Sequence, residues 1–222
     1  MNSKFKTITD LNVRSGPGVG YNRLETLSPG RIFEEVGITD WCPIAMGSGA
    51  VGWVSREYLM PYDEPELVPG QITGEMLLAA AEAMIGRQQY VLGADSPLTQ
   101  GDNYTGSTDC AEFCTERVHE VTGKIYGVLQ PGSTNLEPWT GAWYNDMKAG
   151  RVIQIPVEQA KRTPGAILLR YDKRVHHIVF VGHNRTTVEA KGRNYGVVRD
   201  EVDGRGFQYG ILIPGIVYKE VA

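Results

Sequence analysis

Cys110 is the residue of this chain best placed for chemistry. It follows three candidate N-cap residues in the run Ser-Thr-Asp-Cys, and the apolar residues after it recur at helical spacing as far as Gly123, a typical stop signal. We therefore predict a helix over about 109–122 with Cys110 in its first turn. The unpaired N–H groups and positive dipole of a helix start favour a thiolate, a competent nucleophile, although many free cysteines are only small buried hydrophobes.

Histidine occurs in a second motif, a predicted β-meander further along the chain. An apolar run over 166–170, a β-branched and aromatic run over 175–181 and a return strand over 186–190 are separated by turn residues. His176 and His177 open the middle strand. A cysteine on a helix followed by a histidine on a later strand is the order expected of a papain-like thiol hydrolase, in which imidazole takes the thiol proton and later protonates the leaving amine.

These segments resemble the NlpC-type cell-wall cysteine peptidases. The motifs that carry the resemblance are Gln89-Tyr-Val-Leu-Gly93, Thr108-Asp-Cys-Ala-Glu-Phe113, Thr163-Pro-Gly-Ala-Ile-Leu-Leu169, His177-Ile-Val-Phe-Val-Gly182 and Val188-Glu-Ala190. They occur in the family order and span most of residues 72–218. Two departures are visible: Ala111 and Glu112 replace the usual Ser-Gly after the nucleophile, and Glu189 stands where many members carry histidine.

The resemblance implies an α+β, papain-like domain with four catalytic residues. Cys110 would attack a peptide carbonyl, and His177 would act as general base and acid. Glu189 would orient the imidazole, since a carboxylate is an adequate acceptor for it. Tyr90 would help the nucleophile's own N–H hold the oxyanion. The implied reaction is cleavage of peptidoglycan stem peptides after γ-D-glutamate, next to diaminopimelate or lysine, with no cofactor.

Either His176 or His177 could be the base, because side chains alternate between the two faces of a strand. A three-residue loop over 182–184 would place position 177 directly opposite 189. A two-residue loop at 182–183 would instead place His176 opposite Glu189. We favour His177 because its spacing to Glu189 matches the family.

Candidates for substrate contact lie on both sides of these motifs. Asp109 precedes the nucleophile, and Trp139 and Trp143 follow Pro138 in a long intervening stretch. If the two tryptophans form the core face of a helix, they need no role beyond packing. If they line a cleft, they could bind a sugar or a stem peptide.

Three cysteines, an odd number, exclude a fully paired disulfide framework. Cys42 is expected in a small core. Cys114 lies one helical turn after Cys110, so a zinc site completed by His119 or His177 is an alternative to simple packing. We expect no metal, because zinc ligands usually cluster as Cys-x-x-Cys or His-x-x-x-His.

The first 62 residues predict a separate all-β unit. Short β-rich runs and turns fill it, and Leu11-Asn-Val-Arg-Ser-Gly-Pro-Gly18 with Gly52-Trp-Val-Ser55 resembles the bacterial SH3-like domain, a small barrel that binds cell-wall material or positions a catalytic domain. The proline- and acid-rich segment 63–71 predicts a linker. The catalytic domain is expected over 72–222.

Net charge and hydropathy indicate which classes of partner this chain is not expected to bind. The net charge is −4 and basic residues are scattered, so we expect no nucleic-acid partner. No apolar run reaches the length of a membrane span, and the N-terminus lacks the apolar core of a secretory signal. Action on the cell wall then requires a phage holin or virion route, or removal of an N-terminal segment. The segment 210–218 resembles phage-borne members, which favours a phage or prophage lysin acting as a monomer on stem peptides.

Other functions stay open on the sequence. A muramoyl-L-alanine amidase would use the same thiol chemistry on a neighbouring bond. A non-catalytic wall-binding or virion structural protein would not depend on the thiol, and a thiol acyltransferase of the same superfold would pass the acyl group to an amine or lipid.

Overall fold

The chain forms two compact units in a computed structural model that describes residues 4–34, 40–46, 50–62, 70–94, 106–128 and 137–220. One unit comprises residues 1–65 with 220–222, and the other comprises 66–219. Most of the predicted linker, residues 63–69, lies outside the described residues.

Short antiparallel strands make up the described part of the N-terminal unit. They are β1 Lys4–Thr7, β2 Leu11–Arg14, β3 Arg23–Leu27, β4 Ile32–Glu34, β5 Trp41–Ala45, β6 Val51–Ser55 and β7 Leu59–Tyr62, with a 3-10 turn at Arg56–Tyr58. The strands form two sheets, in the orders β4-β1-β7 and β3-β2-β6-β5. Side chains alternate between the two faces of a strand, so every second residue of β2 and β5 packs into a common core: Leu11, Val13, Cys42 and Ile44. Cys42 is therefore a packing residue, as expected.

The C-terminal unit combines helices with a larger antiparallel sheet. Its described helices are α1 Gly74–Glu82, α2 Cys110–Thr122, α3 Thr140–Lys148 and α4 Val157–Ala160. Its described strands are β8 Gln89–Tyr90, β9 Ser107–Thr108, β10 Ile153–Ile155, β11 Ile167–Tyr171, β12 His176–Val181, β13 Thr186–Gly192, β14 Gly196–Glu201 and β15 Tyr209–Leu212. The sheet order is β10-β15-β11-β12-β13-β14, so the predicted meander β11-β12-β13 is confirmed at its centre.

Both faces of this sheet are covered, which explains why its central strands are continuous apolar runs rather than alternating ones. Ile178 and Phe180 of β12 pack into the core formed with α1, α2 and α3. Val179 and Val181 belong to a second apolar cluster that includes Ala160 of α4. On β12, even-numbered residues therefore face the helix-side core, and odd-numbered residues face the other side of the sheet.

Helix α2 begins and ends close to the predicted positions. Asp109 caps it with a reciprocal capping box to Glu112, and Gly123 ends it in the left-handed region at φ 68°. The prediction of a helix over about 109–122 is confirmed. Within the described ranges, no helix is long and apolar enough to cross a bilayer.

Candidate active site

The start of α2 is held by the side chain of Asp109. Its Oδ1 accepts hydrogen bonds from the backbone N–H groups of Ala111 at 2.9 Å and Glu112 at 3.0 Å, and its Oδ2 accepts one from Gly93 at 3.2 Å. Both carboxylate oxygens therefore serve the backbone, and the residue is buried. These contacts place Cys110 at the first helical position and tie the loop after β8 to it.

The sulfur of Cys110 lies among backbone donors. The N–H groups of Ile178, Ala111 and Cys110 itself reach it, so the start of α2 and the middle of β12 meet at this atom. Only 7% of Cys110 is exposed. Burial raises the pKa of its thiol to about 12, the Asp109 carboxylate adds to the rise, and the three N–H groups only partly oppose it.

The resting sulfur is consequently a thiol, which corrects the expectation that the helix start alone would favour a thiolate. The N–H groups and the dipole do act in the expected direction, but removal of the sulfur from water is the larger effect. A base is therefore needed to take its proton.

The gap that admits Cys110 arises where β12 and β13 separate. Across residues 176–192, all of which are described, the two strands pair only at Phe180 with Val188 and at Val181 with Thr187. Beyond these pairs towards His177, the edge of β12 lacks its neighbour on that side. The Ile178 N–H is thereby left to the Cys110 sulfur.

His177 contacts Glu189 across the same gap. Its Nε2 lies 2.5 Å from Glu189 Oε2. The observed register pairs Val181 with Thr187, so position 189 corresponds to 179 and not to 177, and the hairpin loop runs over 182–185. Neither the two-residue nor the three-residue loop considered above is formed. The pairing differs from that of the three-residue loop by two residues, so the parity is unchanged and both side chains share a face.

The other histidine is directed elsewhere. His176 is exposed, and its ring packs at a tilt of 33° against Tyr171 of the neighbouring strand, with 4.5 Å between ring centroids. Of the adjacent pair, the structure brings His177 to Glu189 and leaves His176 at the surface.

Glu189 is completely buried and strongly bonded. Thr187 Oγ1 donates to its Oε1 at 2.6 Å, Arg205 Nη2 donates to Oε2 at 2.6 Å, and Arg205 Nη1 donates to Oε1. Burial alone would raise the pKa of Glu189, but hydrogen bonds from Arg205, His177 and Thr187 outweigh it and lower the pKa to about 2. Glu189 is therefore a carboxylate at any working pH.

Sequence reasoning did not find Arg205. It lies in the loop between β14 and β15, 16 residues after Glu189, and no spacing rule links a loop arginine to a strand carboxylate. The available signal is indirect: a glutamate inside an apolar strand run implies a cation close by, but the chain offers many candidates.

Tyr90 reaches the site through strand pairing. It lies on β8, which pairs in parallel with β9 at Thr108, immediately before α2. Burial raises its pKa to about 12, with smaller contributions from Cys110 in its ionised form and from the Asp109 carboxylate. Its phenol therefore keeps its proton and can donate it in a hydrogen bond.

The two tryptophans separate in the structure. Trp143 is fully buried, and its Nε1 donates to Thr115 Oγ1 at 3.2 Å, so it belongs to the core rather than to a surface open to substrate. Trp139, just before α3, is 37% exposed. Cys114 is also fully buried, and the described residues hold no group of three or more potential metal ligands.

The site thus consists of two clusters that meet at β12. Cys110 and Tyr90 lie on the side of α2, while His177, Glu189 and Arg205 are linked by hydrogen bonds. Among the described residues, no hydrogen bond joins the sulfur directly to the His177 ring. Catalytic hydrogen bonds are often long without substrate and tighten when it binds.

No family model matches the chain, and no curated protein matches it in sequence. Among solved structures, it is similar to the NlpC/p60 domain of the peptidoglycan hydrolase SagA, with 20% identity, 64% of this chain and 100% of that chain covered, and a TM-score of 0.47. It is also similar to the peptidoglycan hydrolase RipB of Mycobacterium tuberculosis, with 20% identity, 63% and 64% covered, and a TM-score of 0.46. NlpC2 of Trichomonas vaginalis shares 13% identity, with 99% and 74% covered and a TM-score of 0.42.

Proposed function

We propose that this chain is a thiol hydrolase that cleaves stem peptides of bacterial peptidoglycan. The observation that carries the proposal is the meeting of a helix-start cysteine with the backbone N–H next to His177, whose ring is held by the buried carboxylate of Glu189. The motifs around Tyr90, Cys110 and His177 supply the substrate class through their resemblance to cell-wall peptidases.

Proton transfer in this mechanism starts from a thiol. Glu189 is ionised and can only accept, so His177 Nε2 carries the hydrogen and Nδ1 is the basic nitrogen. Nδ1 takes the Cys110 proton as the sulfur attacks the carbonyl carbon. The N–H of Cys110 and the Tyr90 phenol hold the developing oxyanion.

Collapse of the tetrahedral intermediate completes acylation. The C–N bond breaks, the imidazolium of His177 gives its proton to the leaving amine, and a thioester to Cys110 is left. Water, deprotonated by the same imidazole, then attacks the thioester and releases the acid and the thiol. All protons are accounted for by one imidazole, so the step requires no co-reactant other than water.

The bond proposed is the one between γ-D-glutamate and the diamino acid of the stem. Its nearest rival is the muramoyl-L-alanine amide, which the same chemistry can hydrolyse. Mass spectrometry of released muropeptides separates the two. A free amino terminus on diaminopimelate or lysine supports the endopeptidase, and a free L-alanine amino terminus supports the amidase.

The N-terminal unit is proposed to be an SH3-like barrel that binds the wall. It carries a cleft of about 900 Å³. Side chains that line this cleft include Asp10, Arg14, Asp40, Trp41, Arg56 and Tyr58. Charged side chains of both signs could hydrogen-bond to a peptide or sugar of the wall, and the indole of Trp41 could pack against it. In cosedimentation of the full chain with sacculi, Trp41→Ala should weaken binding, whereas Leu24→Ala, on the exposed surface of β3, should not.

A phage or prophage lysin is the proposed biological setting. The carboxyl-terminal run 210–218, which resembles phage-borne members, supports it. Action at the bacterial cell wall follows from the substrate.

Digestion of purified sacculi tests the function. Wild-type protein should release soluble fragments, Cys110→Ala should release none, and Cys42→Ala, which removes a buried thiol from the other unit, should behave as wild type. Equal release by Cys110→Ala contradicts the thiol mechanism. Binding without release indicates a wall-binding protein, and transfer of the acyl group to an added amine in preference to water indicates an acyltransferase.

A further inference from the structure

Glu189 carries its charge on the side of the sheet that faces away from the helix-side core. Its neighbours along β13, Val188 and Ala190, pack into the core on the helix side, so Glu189 faces the opposite side together with Val179 and Val181. A carboxylate buried in such surroundings is strongly unfavourable unless it is paired and fully hydrogen-bonded. A cationic partner is therefore needed to keep the buried Glu189 carboxylate ionised.

Arg205 is that partner, and it spans the carboxylate. Its Nη2 donates to Oε2 at 2.6 Å and its Nη1 donates to Oε1 of Glu189. The guanidinium is itself fixed, because Nη1 also donates to Thr187 Oγ1 at 3.1 Å and to the Glu201 carbonyl at 3.3 Å, and Cζ lies 5.2 Å from the centre of the Phe207 ring. A forked guanidinium fixes the rotation of a carboxylate as well as its charge.

The shared oxygen links this ion pair to the imidazole. Glu189 Oε2 accepts from both Arg205 Nη2 and His177 Nε2. An ionised Glu189 forces the hydrogen of neutral His177 onto Nε2 and leaves Nδ1 as the acceptor. A protonated Glu189 could donate to Nε2 instead, which would move the hydrogen to Nδ1 and abolish the base.

We propose that Arg205 is a positioning residue that selects the reactive tautomer of His177 by holding Glu189 ionised and rotated towards Nε2. The inference rests on the proposed thiol mechanism. Arg205 contacts no reacting atom in it, and acts only through Glu189. The lowered pKa of Glu189 and the raised pKa of Arg205, both due chiefly to their mutual hydrogen bonds against the effect of burial, agree with it.

The test compares Arg205→Gln with Arg185→Gln. Arg185 makes an equally forked ion pair with Asp203, at 2.7 Å and 2.5 Å, but does not contact Glu189. In Arg205→Gln, kcat for muropeptide cleavage should fall about 10- to 100-fold, the range found when a group that orients a functional histidine is lost, with KM little changed. Arg185→Gln should retain both values.

Long-range ¹H–¹⁵N spectra of the imidazoles provide a readout that does not depend on turnover. The chain has four histidines, so His177→Ala assigns the signal. Wild type and Arg185→Gln should show the Nε2–H tautomer at position 177, and Arg205→Gln should show a mixture. An unchanged tautomer together with an unchanged kcat overturns the proposal.

Two further outcomes are decisive. Should Arg205→Gln not fold, Arg205→Lys keeps the charge but cannot span both oxygens, and a wild-type kcat in that variant rejects the role of the guanidinium. Should wild type itself cleave nothing, the proposed function fails, while the spectra still decide whether Arg205 sets the tautomer of His177.

Discussion

His177 and Glu189 form a short hydrogen bond, 2.5 Å between Nε2 and Oε2, although they are not directly opposite on their strands. The register offsets them by two residues, and the strands have separated at this point. A diagonal pair on one face can be bridged by long side chains, and a histidine with a glutamate is long enough. The separation also leaves the Ile178 N–H free for Cys110. One local feature therefore positions both the imidazole and the sulfur.

The two adjacent histidines should behave oppositely on substitution. His177→Ala removes the proposed base and is expected to lower kcat by at least about 10²-fold, the usual contribution of general acid–base catalysis. His176→Ala removes only a surface ring packed against Tyr171 and should keep most of the activity. Release of soluble fragments from sacculi measures both. The reverse pattern would assign the base to His176.

Loss of the Tyr90 hydroxyl should affect the rate more than binding. Tyr90→Phe keeps the ring and its packing but removes the proposed second donor to the oxyanion, so kcat should fall by about 10²-fold with KM little changed. Tyr195→Phe, at an exposed tyrosine outside the site, is the matched control and should leave kcat unchanged. Kinetics on a soluble muropeptide separate the two constants. An increase in KM alone would assign Tyr90 to substrate binding.

Alkylation of Cys110 in the free protein should be slow at neutral pH. A thiol whose pKa is raised to about 12 gains thiolate about tenfold per pH unit, so its reaction with iodoacetamide should still be accelerating at about pH 9.5. Mass spectrometry with fragmentation localises the adduct to Cys110 and not Cys114. A rate that reaches a plateau below about pH 8 would show a thiolate already formed in the resting protein.

Asp109→Asn checks the electrostatic part of that pKa. The amide oxygen can still accept from Ala111 and Glu112, so α2 should keep its cap, while the negative charge next to the sulfur and the hydrogen bond from the Gly93 N–H are lost. Cys110 should then alkylate faster than in wild type at the same pH. A rate equal to or below that of wild type would show that the Asp109 charge does not raise the pKa of Cys110.

The buried ion pair predicts an acid-dependent stability. The pKa of Glu189 is about 2 in the folded state against an ordinary 4.5, so its stabilising contribution is present above 4.5 and is lost as the pH falls towards 2. The shift corresponds to a contribution on the order of 3 kcal/mol. The difference in unfolding free energy between wild type and Glu189→Gln should be flat from about pH 5 to 8 and should shrink below pH 4.5.

Urea unfolding over these two pH ranges measures that difference. A wild-type advantage that changes between about pH 6 and 8 would point to a different titrating group. In Glu189→Gln the Arg205 guanidinium loses its bidentate anionic partner and keeps the longer contact with Asp200, so the variant should also be less stable than wild type throughout the neutral range.

Local signals in the sequence were enough to predict α2, a cap among Ser107, Thr108 and Asp109, and an end at Gly123, because helical periodicity and capping act within a few residues. Alternation along β12 placed His176 and His177 on opposite faces, and the family spacing favoured His177. The observed contact of His177 with Glu189 agrees with that choice, because face parity survives a difference of two residues in register. The sequence by itself thus indicated Cys110, His177 and Glu189 as residues of the site, but not Arg205.

Only the tertiary structure decided the state of those side chains. Burial, which depends on the packing of α2 against the sheet, left Cys110 a thiol despite its helix-start position. The separation of β12 from β13 set the geometry of His177 and Glu189. Arg205 came from a loop 16 residues after Glu189, and charge partners at such distances follow from long-range folding rather than from any local pattern.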